Sequence, residues 1–367
     1  MIQLKARGVP VNIFQATLAI VTGKEKGQGT TAYASQENGD ILLTTDISRN
    51  VSQRMVTNIP SLDHLEDGDI IYITTNGTIN TLFRTSSPHN SLFITDRCNS
   101  NCLMCSQPPR NSDDLDHFFK INSGLISLIP KSTSELGITG GEPTLLGRRF
   151  ISLLQQITLE LPETDIHILT NGRSFAWKQI PQSLSQVNNH RIVYGIPLYS
   201  DFYQLHDYIV QSKDAFNQTV LGFHNMARNN LRLEIRIVLH QQSYKRLPDL
   251  AKFIYRNLPF VEHIAFMGLE YTGYTIKNNE LLWIEPREYE NELEEAVLFL
   301  DSMDMTVSIY NLPLCLLKRS LWKFTRKSIS DWKQKYLDEC ADCILLDQCG
   351  GLFDTSKRHS RYIKAIH

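Results

Sequence analysis

From about Asn90 onward the chain repeats one pattern: a short apolar run, then a segment with apolar residues at three- and four-residue steps. The runs fall at 91–95, 136–139, 166–170, 191–198, 233–239 and 263–267, and helical periodicity is plain at 150–161 and 247–257. Strand, helix, strand, helix over this length demands a parallel α/β sheet or barrel. Six strands suit a partial barrel better than a full eight-fold one, so the expected fold class is α/β, a partial (β/α)6 TIM-like barrel over residues 89–285. Residues 1–88, rich in Thr, Ile, Val and turn formers, predict a small β-rich N-terminal domain. Within it, the apolar run at 70–73, Asn76-Gly77 and the run at 78–83 read as a hairpin with a type I′ turn. Residues 286–367 predict a cysteine-rich C-terminal extension with a helix over 288–301. The basic stretch 357–367 reads as a solvated tail.

The 367 residues leave room for two or three domains at roughly 150 residues each. Lys and Arg number 37 against 39 Asp and Glu, a formal charge of −2. That balance lacks the basic excess of a bulk nucleic-acid binder, so no nucleic-acid partner is expected. Hydrophobic residues at 42% exclude a wholly disordered chain. The longest weakly charged stretch, 9–23, carries Asn12 and Gln15 and is too short to span a bilayer. The first ten residues hold no apolar signal core, so the expected location is cytoplasmic, with no membrane partner. There, grouped cysteines usually bind metal or do chemistry. The chain has seven, an odd number that a complete set of disulfides cannot absorb.

Three of the seven stand on one loop directly after the first strand of the α/β region, as Cys98-Asn99-Ser100-Asn101-Cys102-Leu103-Met104-Cys105. Such spacing arises by chance on the order of once or twice per thousand chains with this many cysteines. Three thiolates with no neighbouring His suit a [4Fe–4S] cluster that keeps one iron open. A zinc site is the alternative, but closed zinc sites take four ligands and open ones usually include His. The nearest His, His89, lies on the far side of the strand.

Cys-x3-Cys-x2-Cys after the first strand of a βα series resembles the radical SAM enzymes. The resemblance spans about residues 90–352. It implies a cluster at the barrel mouth whose open iron chelates S-adenosylmethionine (SAM), with an external one-electron donor such as flavodoxin or ferredoxin. It also implies cofactor contacts. Gly140-Gly141-Glu142-Pro143, at the end of the second strand, matches the segment that binds the methionine amino group. By itself this string is also a tight turn opening a helix. Asn171, in Thr170-Asn171-Gly172, lies at the third strand end. Met104 stands where relatives often carry an aromatic residue, and its soft side chain can pack on adenine. Pro197 replaces a Ser that many relatives use on the SAM ribose, and Ser200 is the candidate substitute. Arg236, on the fifth strand, matches an Arg set against the SAM carboxylate, and a buried Arg needs an anionic partner. His206 and Asp207 read as a strand-to-helix joint. No catalytic acid or base stands out.

The other four cysteines, Cys315, Cys340, Cys343 and Cys349, follow the last of these strands. A zinc site with four thiolates is one reading. The spacing Cys-x2-Cys-x5-Cys behind such a barrel resembles SPASM or twitch extensions, which implies an auxiliary [4Fe–4S] cluster, fully ligated and suited to electron transfer. Residues 90–98 and 309–315 resemble the His-Xaa-Ser system radical SAM maturases, C-type member. That implies a precursor peptide substrate with His-Xaa-Ser repeats, its modification by cross-linking, and a second radical SAM maturase as a partner. Two other readings stay open: a radical SAM enzyme acting on a small molecule or cofactor precursor, and a non-enzymatic iron–sulfur or zinc protein. An electron carrier has no need of the Gly140–Pro143 segment, and that separates it from the enzymes.

Overall fold

The computed structural model describes residues 4–24, 31–36, 39–47, 52–328 and 334–367. Two eight-stranded sheets organise them. The first is built from β1 (Lys5–Arg7), β2 (Val9–Val11), β3 (Thr17–Thr22), β4 (Thr31–Ser35), β5 (Ile41–Thr44), β6 (Met55–Thr57), β7 (Ile70–Ile73) and β8 (Thr78–Phe83), in the spatial order β1-β8-β7-β3-β4-β5-β6-β2. Neighbours are antiparallel except β5 and β6. Alternating side chains such as Ala19, Val21, Leu43, Ile71 and Ile79 fill its own core, as expected of a pleated layer with one inward face.

The β7–β8 hairpin forms where the sequence places it, but not with a type I′ turn. That turn needs positive φ at both central residues. Only Gly77 has it, at +79°. The Gly77 N–H bonds to Thr74 O at 3.0 Å, and Asn76 Oδ1 accepts from Thr78 N–H at 3.1 Å. This is a three-residue loop closed by a left-handed glycine. A Cβ on Gly77 would stand 2.3 Å from Gly8 O, so both conformation and space require glycine there.

The second sheet is parallel throughout and runs in strict chain order: β9 (Asn90–Phe93), β10 (Glu135–Thr139), β11 (Asp165–Leu169), β12 (Ile192–Pro197), β13 (Arg232–Val238), β14 (His263–Met267), β15 (Val307–Tyr310) and β16 (Thr325–Arg326). β9 and β16 are its edges, so the sheet is unclosed, consistent with a partial barrel. The six strands read from the sequence are all present. Two more, β15 and β16, extend the sheet into the stretch assigned to the C-terminal extension. β15 carries little strand signal of its own, because Val307-Ser308-Ile309-Tyr310 is short and leads straight into cysteine-bearing chain.

Between the strands lie α1 (Leu115–Leu128), α2 (Arg148–Glu160), α3 (Gln179–Ser185), α4 (Tyr203–Val210), α5 (Ala215–Arg228) and α6 (Leu247–Asn257). After β14 come the short α7 (Tyr274–Lys277) and α8 (Asn279–Leu282), then α9 (Glu290–Ser302). α2 and α6 bury one stripe each, Phe150, Leu153 and Ile157 in the first, Leu250 and Ile254 in the second, the spacing that one helix face imposes. On β13, Leu233, Ile235 and Ile237 join this core. The core also takes in Ile70 and Phe83, so the first sheet packs directly on the α/β layer. Among the described residues no helix is long and apolar enough to cross a membrane.

Gly77→Ala puts a side chain into the left-handed region and against Gly8 O. It should destabilise the chain by about 1–3 kcal/mol, read as a lowered Tm, while Gly39→Ala, with open space at its Cβ, should cost less.

Candidate functional site at the strand ends

Parallel strands deliver their C-terminal loops to one end of the sheet, where such folds place their chemistry. The loop after β9 carries Cys98, Cys102 and Cys105, and four bonds fix it. Leu103 N–H donates to Ile209 O at 2.9 Å, and Asn101 N–H to Val210 O at 3.0 Å. Tyr274 N–H donates to Cys105 O at 2.9 Å, and Asn278 Nδ2 to Leu103 O at 2.8 Å. Met104 is buried in an apolar cluster with Leu103, Tyr199, Ile209 and Leu282.

The end of β10 clamps the same loop. Gly141 N–H donates to Thr95 O at 2.7 Å and Glu142 N–H to Arg97 O at 2.8 Å. Gly140 has φ +147°, and a Cβ on Gly141 would stand 2.1 Å from Arg97 O. The two glycines are therefore dictated by close approach of two backbones. Pro143 opens a short 3₁₀ turn, and Glu142 caps it.

Glu142 is fully buried. One carboxyl oxygen accepts from Thr144 N–H at 3.0 Å, Thr144 Oγ1 at 2.6 Å and Thr170 Oγ1 at 2.7 Å. The other accepts from Asn171 N–H at 2.7 Å. The carboxyl group thus ties the ends of β10 and β11 together. Asn171 reaches the cysteine loop: its Nδ2 donates to Asn99 Oδ1 at 2.6 Å and lies 3.9 Å from Cys98 Sγ. The next cation, Arg173, donates to Asn99 O and to Ser100 Oγ, and its Nε holds Gln218 at 2.8 Å. Sequence reasoning stopped at Gly172 and missed Arg173, although it directly follows the Thr-Asn-Gly string.

Ser200 is fully buried, and its hydroxyl accepts from Phe202 N–H at 3.3 Å and contacts Asp201. His206 Nδ1 accepts from Tyr199 N–H at 3.3 Å, and burial pushes its pKa down to about 3, so the ring is neutral. Asp207 accepts from Asp214 N–H at 2.6 Å and Phe216 N–H at 2.8 Å, at the start of α5.

Arg236 faces the interior side of the sheet, and the anion a buried Arg requires is Glu234, at 2.8 Å. Arg236 also touches Met267 Sδ at 3.1 Å. His263 Nδ1 sits 2.7 Å from Glu234, and His167 Nε2 sits 3.3 Å from it. Burial opposes the charge on Glu234, yet the His167 and His263 contacts and the Arg236 guanidinium outweigh it, holding the carboxyl far below its usual range.

The later cysteines gather in a second place. Cys340 packs in one apolar cluster with Leu316 and Ile363, and Cys315 lies against it. Leu314 N–H points at Cys349 Sγ at 3.4 Å, and Ile366 N–H points at Cys343 Sγ at 3.4 Å. β17 (Gln334–Lys335) and β18 (Leu352–Phe353) form a small antiparallel pair beside them. The stretch 357–367 is therefore not a solvated tail. Ile344 N–H donates to Ile366 O at 3.1 Å, Ser360 Oγ to Glu285 at 2.6 Å, and Arg358 stacks 4.2 Å from the Trp283 ring. Its basic composition concealed the buried Ser360 and Ile363.

Both groups suit thiophilic metal centres by donor chemistry. Burial, then the nearby Glu142, push the Cys98 thiol up to about 11. Burial also raises Cys102, Cys105, Cys315 and Cys349. Thiols in such surroundings become thiolates when a cation binds. A cleft of about 510 Å³ opens beside Cys98, with Arg97 and Arg110 on its wall. Among the described residues no group of three or more His, Cys, Asp or Glu is set to hold a single metal ion.

Residues 92–254, somewhat less than half of the chain, match the family model of the Radical SAM superfamily. No curated protein matches the chain. Among solved structures, it is similar to Streptococcus suis SuiB bound to S-adenosylmethionine, at 15% identity and a TM-score of 0.47, over 61% of this chain and 50% of that one. Native anSMEcpe with bound AdoMet and a Kp18Cys peptide gives 17% and 0.46, over 60% and 63%. A radical SAM methyltransferase from Sphaerobacter thermophilus gives 10% and 0.44, over 66% and 72%. The chain thus spans about half the length of SuiB.

Glu142→Gln turns one of the two acceptor oxygens into a donor facing the Thr170 hydroxyl or the Asn171 N–H. A loss of about 1–3 kcal/mol should follow, read as a lower Tm.

Proposed function

We propose that the chain is a radical SAM enzyme that modifies a precursor peptide. The observation that carries this reading is the three-cysteine loop at the C-terminal end of β9, clamped through Thr95 and Arg97 by Gly141 and Glu142. Cys98, Cys102 and Cys105 would hold a [4Fe–4S] cluster with one iron left for SAM. When bound, the pair supplies a 5′-deoxyadenosyl radical that takes a hydrogen atom from the substrate. The chain's own part is to position. Gly140–Gly141 bring the β10 backbone against the loop, Asn171 and Arg173 hold its rim, and Met104 and Tyr199 keep water from its apolar side. Glu142 acts through Thr170 and Asn171, and Arg236 stands oriented by Glu234.

Cys315, Cys340, Cys343 and Cys349 would ligate an auxiliary [4Fe–4S] cluster of the SPASM or twitch type. Four ligands leave no open iron, which suits return of an electron as a substrate radical closes into a bond. The substrate reading is a peptide with His-Xaa-Ser repeats, cross-linked oxidatively, with a flavodoxin or ferredoxin as electron donor and a second maturase as a partner in a cytoplasmic setting. It rests on the texture of residues 90–98 and 309–315. In the structure these are β9 with the lead-in to Cys98, and β15 with the lead-in to Cys315.

Anaerobic reconstitution should yield about eight irons per chain, from two four-iron clusters. A value near four with one zinc would refute the auxiliary cluster. Replacing Cys98, Cys102 and Cys105 by Ala should abolish 5′-deoxyadenosine formation, read by chromatography, whereas Cys343→Ala should retain some SAM cleavage and lose product. Co-expression with a His-Xaa-Ser precursor should give a product lighter by two hydrogens in mass spectrometry. Absence of any mass change would reject oxidative cross-linking.

A further inference from the structure

A cavity of about 430 Å³ lies between the two sheets, away from both cysteine groups. That volume is within the range of small-ligand sites. One wall is aromatic. Tyr72 of β7 meets His117 of α1 edge-on at 6.0 Å, and Phe93 of β9 meets Phe118 of α1 at 5.1 Å. The opposite character comes from Thr81, Arg84 and His89. Each lines the cavity, and each has a buried polar atom with no hydrogen-bond partner: Thr81 Oγ1, Arg84 Nη1 and His89 Nδ1. Thr81 as a whole is 9% exposed.

Orphaned buried polar atoms are rare, and each costs about 1–3 kcal/mol. Thr81 Oγ1 and Arg84 Nη1 therefore mark the place on the cavity wall where an outside partner would bond. Their chemistry defines the occupant. Arg84 can only donate, and Thr81 and His89 can donate as well. No Asp or Glu is among the lining residues. Of the neighbouring carboxylates, Asp69 accepts from Thr85 and Glu66 N–H groups, and Glu135 stands 3.6 Å from His89 Nδ1, within ion-pair reach of that ring when it is protonated. Arg84 uses Nη2 on Ser86 at 3.2 Å and keeps Nη1 unused. We infer that this cavity binds an organic carboxylate with an apolar body, the carboxylate on Arg84 and Thr81 and the body against Phe93 and Phe118.

A free small acid and the carboxyl end of a peptide share this chemistry. The inference stands apart from the cysteine chemistry, because none of its lining residues belongs to either cysteine group. Calorimetric titration of the full chain with 3-phenylpropionate, N-acetyl-glycyl-phenylalanine and the amide of the latter tests it. At least one acid should bind saturably, and the amide should bind about tenfold or more weakly, the loss expected of one charge-assisted bond. Tighter binding of the peptide acid assigns the site to a chain end, and tighter binding of phenylpropionate assigns it to a free acid. Arg84→Gln should weaken the acid about tenfold with Tm preserved, Thr81→Val should weaken it less, and Cys98→Ala should leave it unchanged. The proposal is overturned if neither acid binds, if acid and amide bind alike, or if Arg84→Gln binds as the parent does. It is equally overturned if a crystal grown with the acid holds only ordered water there.

Discussion

A single buried carboxyl group, that of Glu142, holds the mouth of the parallel sheet in shape. A carboxyl group taken out of water needs every oxygen engaged. Here Thr144, Thr170 and Asn171 engage both. The consequence reaches past the residue itself. Asn171 is anchored by its backbone and so can present its side chain to Asn99 and Cys98, while the Glu142 N–H grips Arg97 on the approach to the cysteines. Strand ends from three separate parts of the sequence meet through this one residue, two of them on its carboxyl group and the third on its N–H.

How much could be read from the sequence follows from how local each signal is. The cysteine loop was legible because all three thiols lie within eight consecutive residues, and the first six strands of the parallel sheet were legible because apolar runs announce themselves. Gly140 and Gly141 were seen, but as ligand contacts. That they are forced by the carbonyls of Thr95 and Arg97 is a fact of two distant backbones. Glu142 and Thr170 stand 28 positions apart, and no spacing rule links them. Arg173 went unread for a similar reason, since its partners Asn99 and Ser100 belong to another strand's loop. The stretch 357–367 misled through composition. Lysines and arginines suggested solvent, while Ile363 and the Ile366 amide decide the packing.

The interior side of the sheet carries its own arrangement of charge. Glu234 collects His167, Arg236 and His263 from three strands, and His263 passes on to Ser308 of β15 at 2.9 Å. Buried charge is tolerable only with such complete pairing. The same grouping explains why β13 mixes charged with apolar residues: Leu233, Ile235 and Ile237 serve the helices, and Glu234 and Arg236 serve the opposite face of the sheet.

The two cysteine groups differ in how much chain they need. The first takes its supports from Thr95 through Asn278, whereas the direct contacts to the thiols of the second come from residues 314–366, with the stretch 357–367 also pinned to Trp283 and Glu285. Closing the longer loops of the first costs more chain entropy, about 0.6 kcal/mol for each doubling of loop length. During synthesis, nonetheless, every support of the first is available once Asn278 has emerged, before any residue that contacts the later thiols has been made.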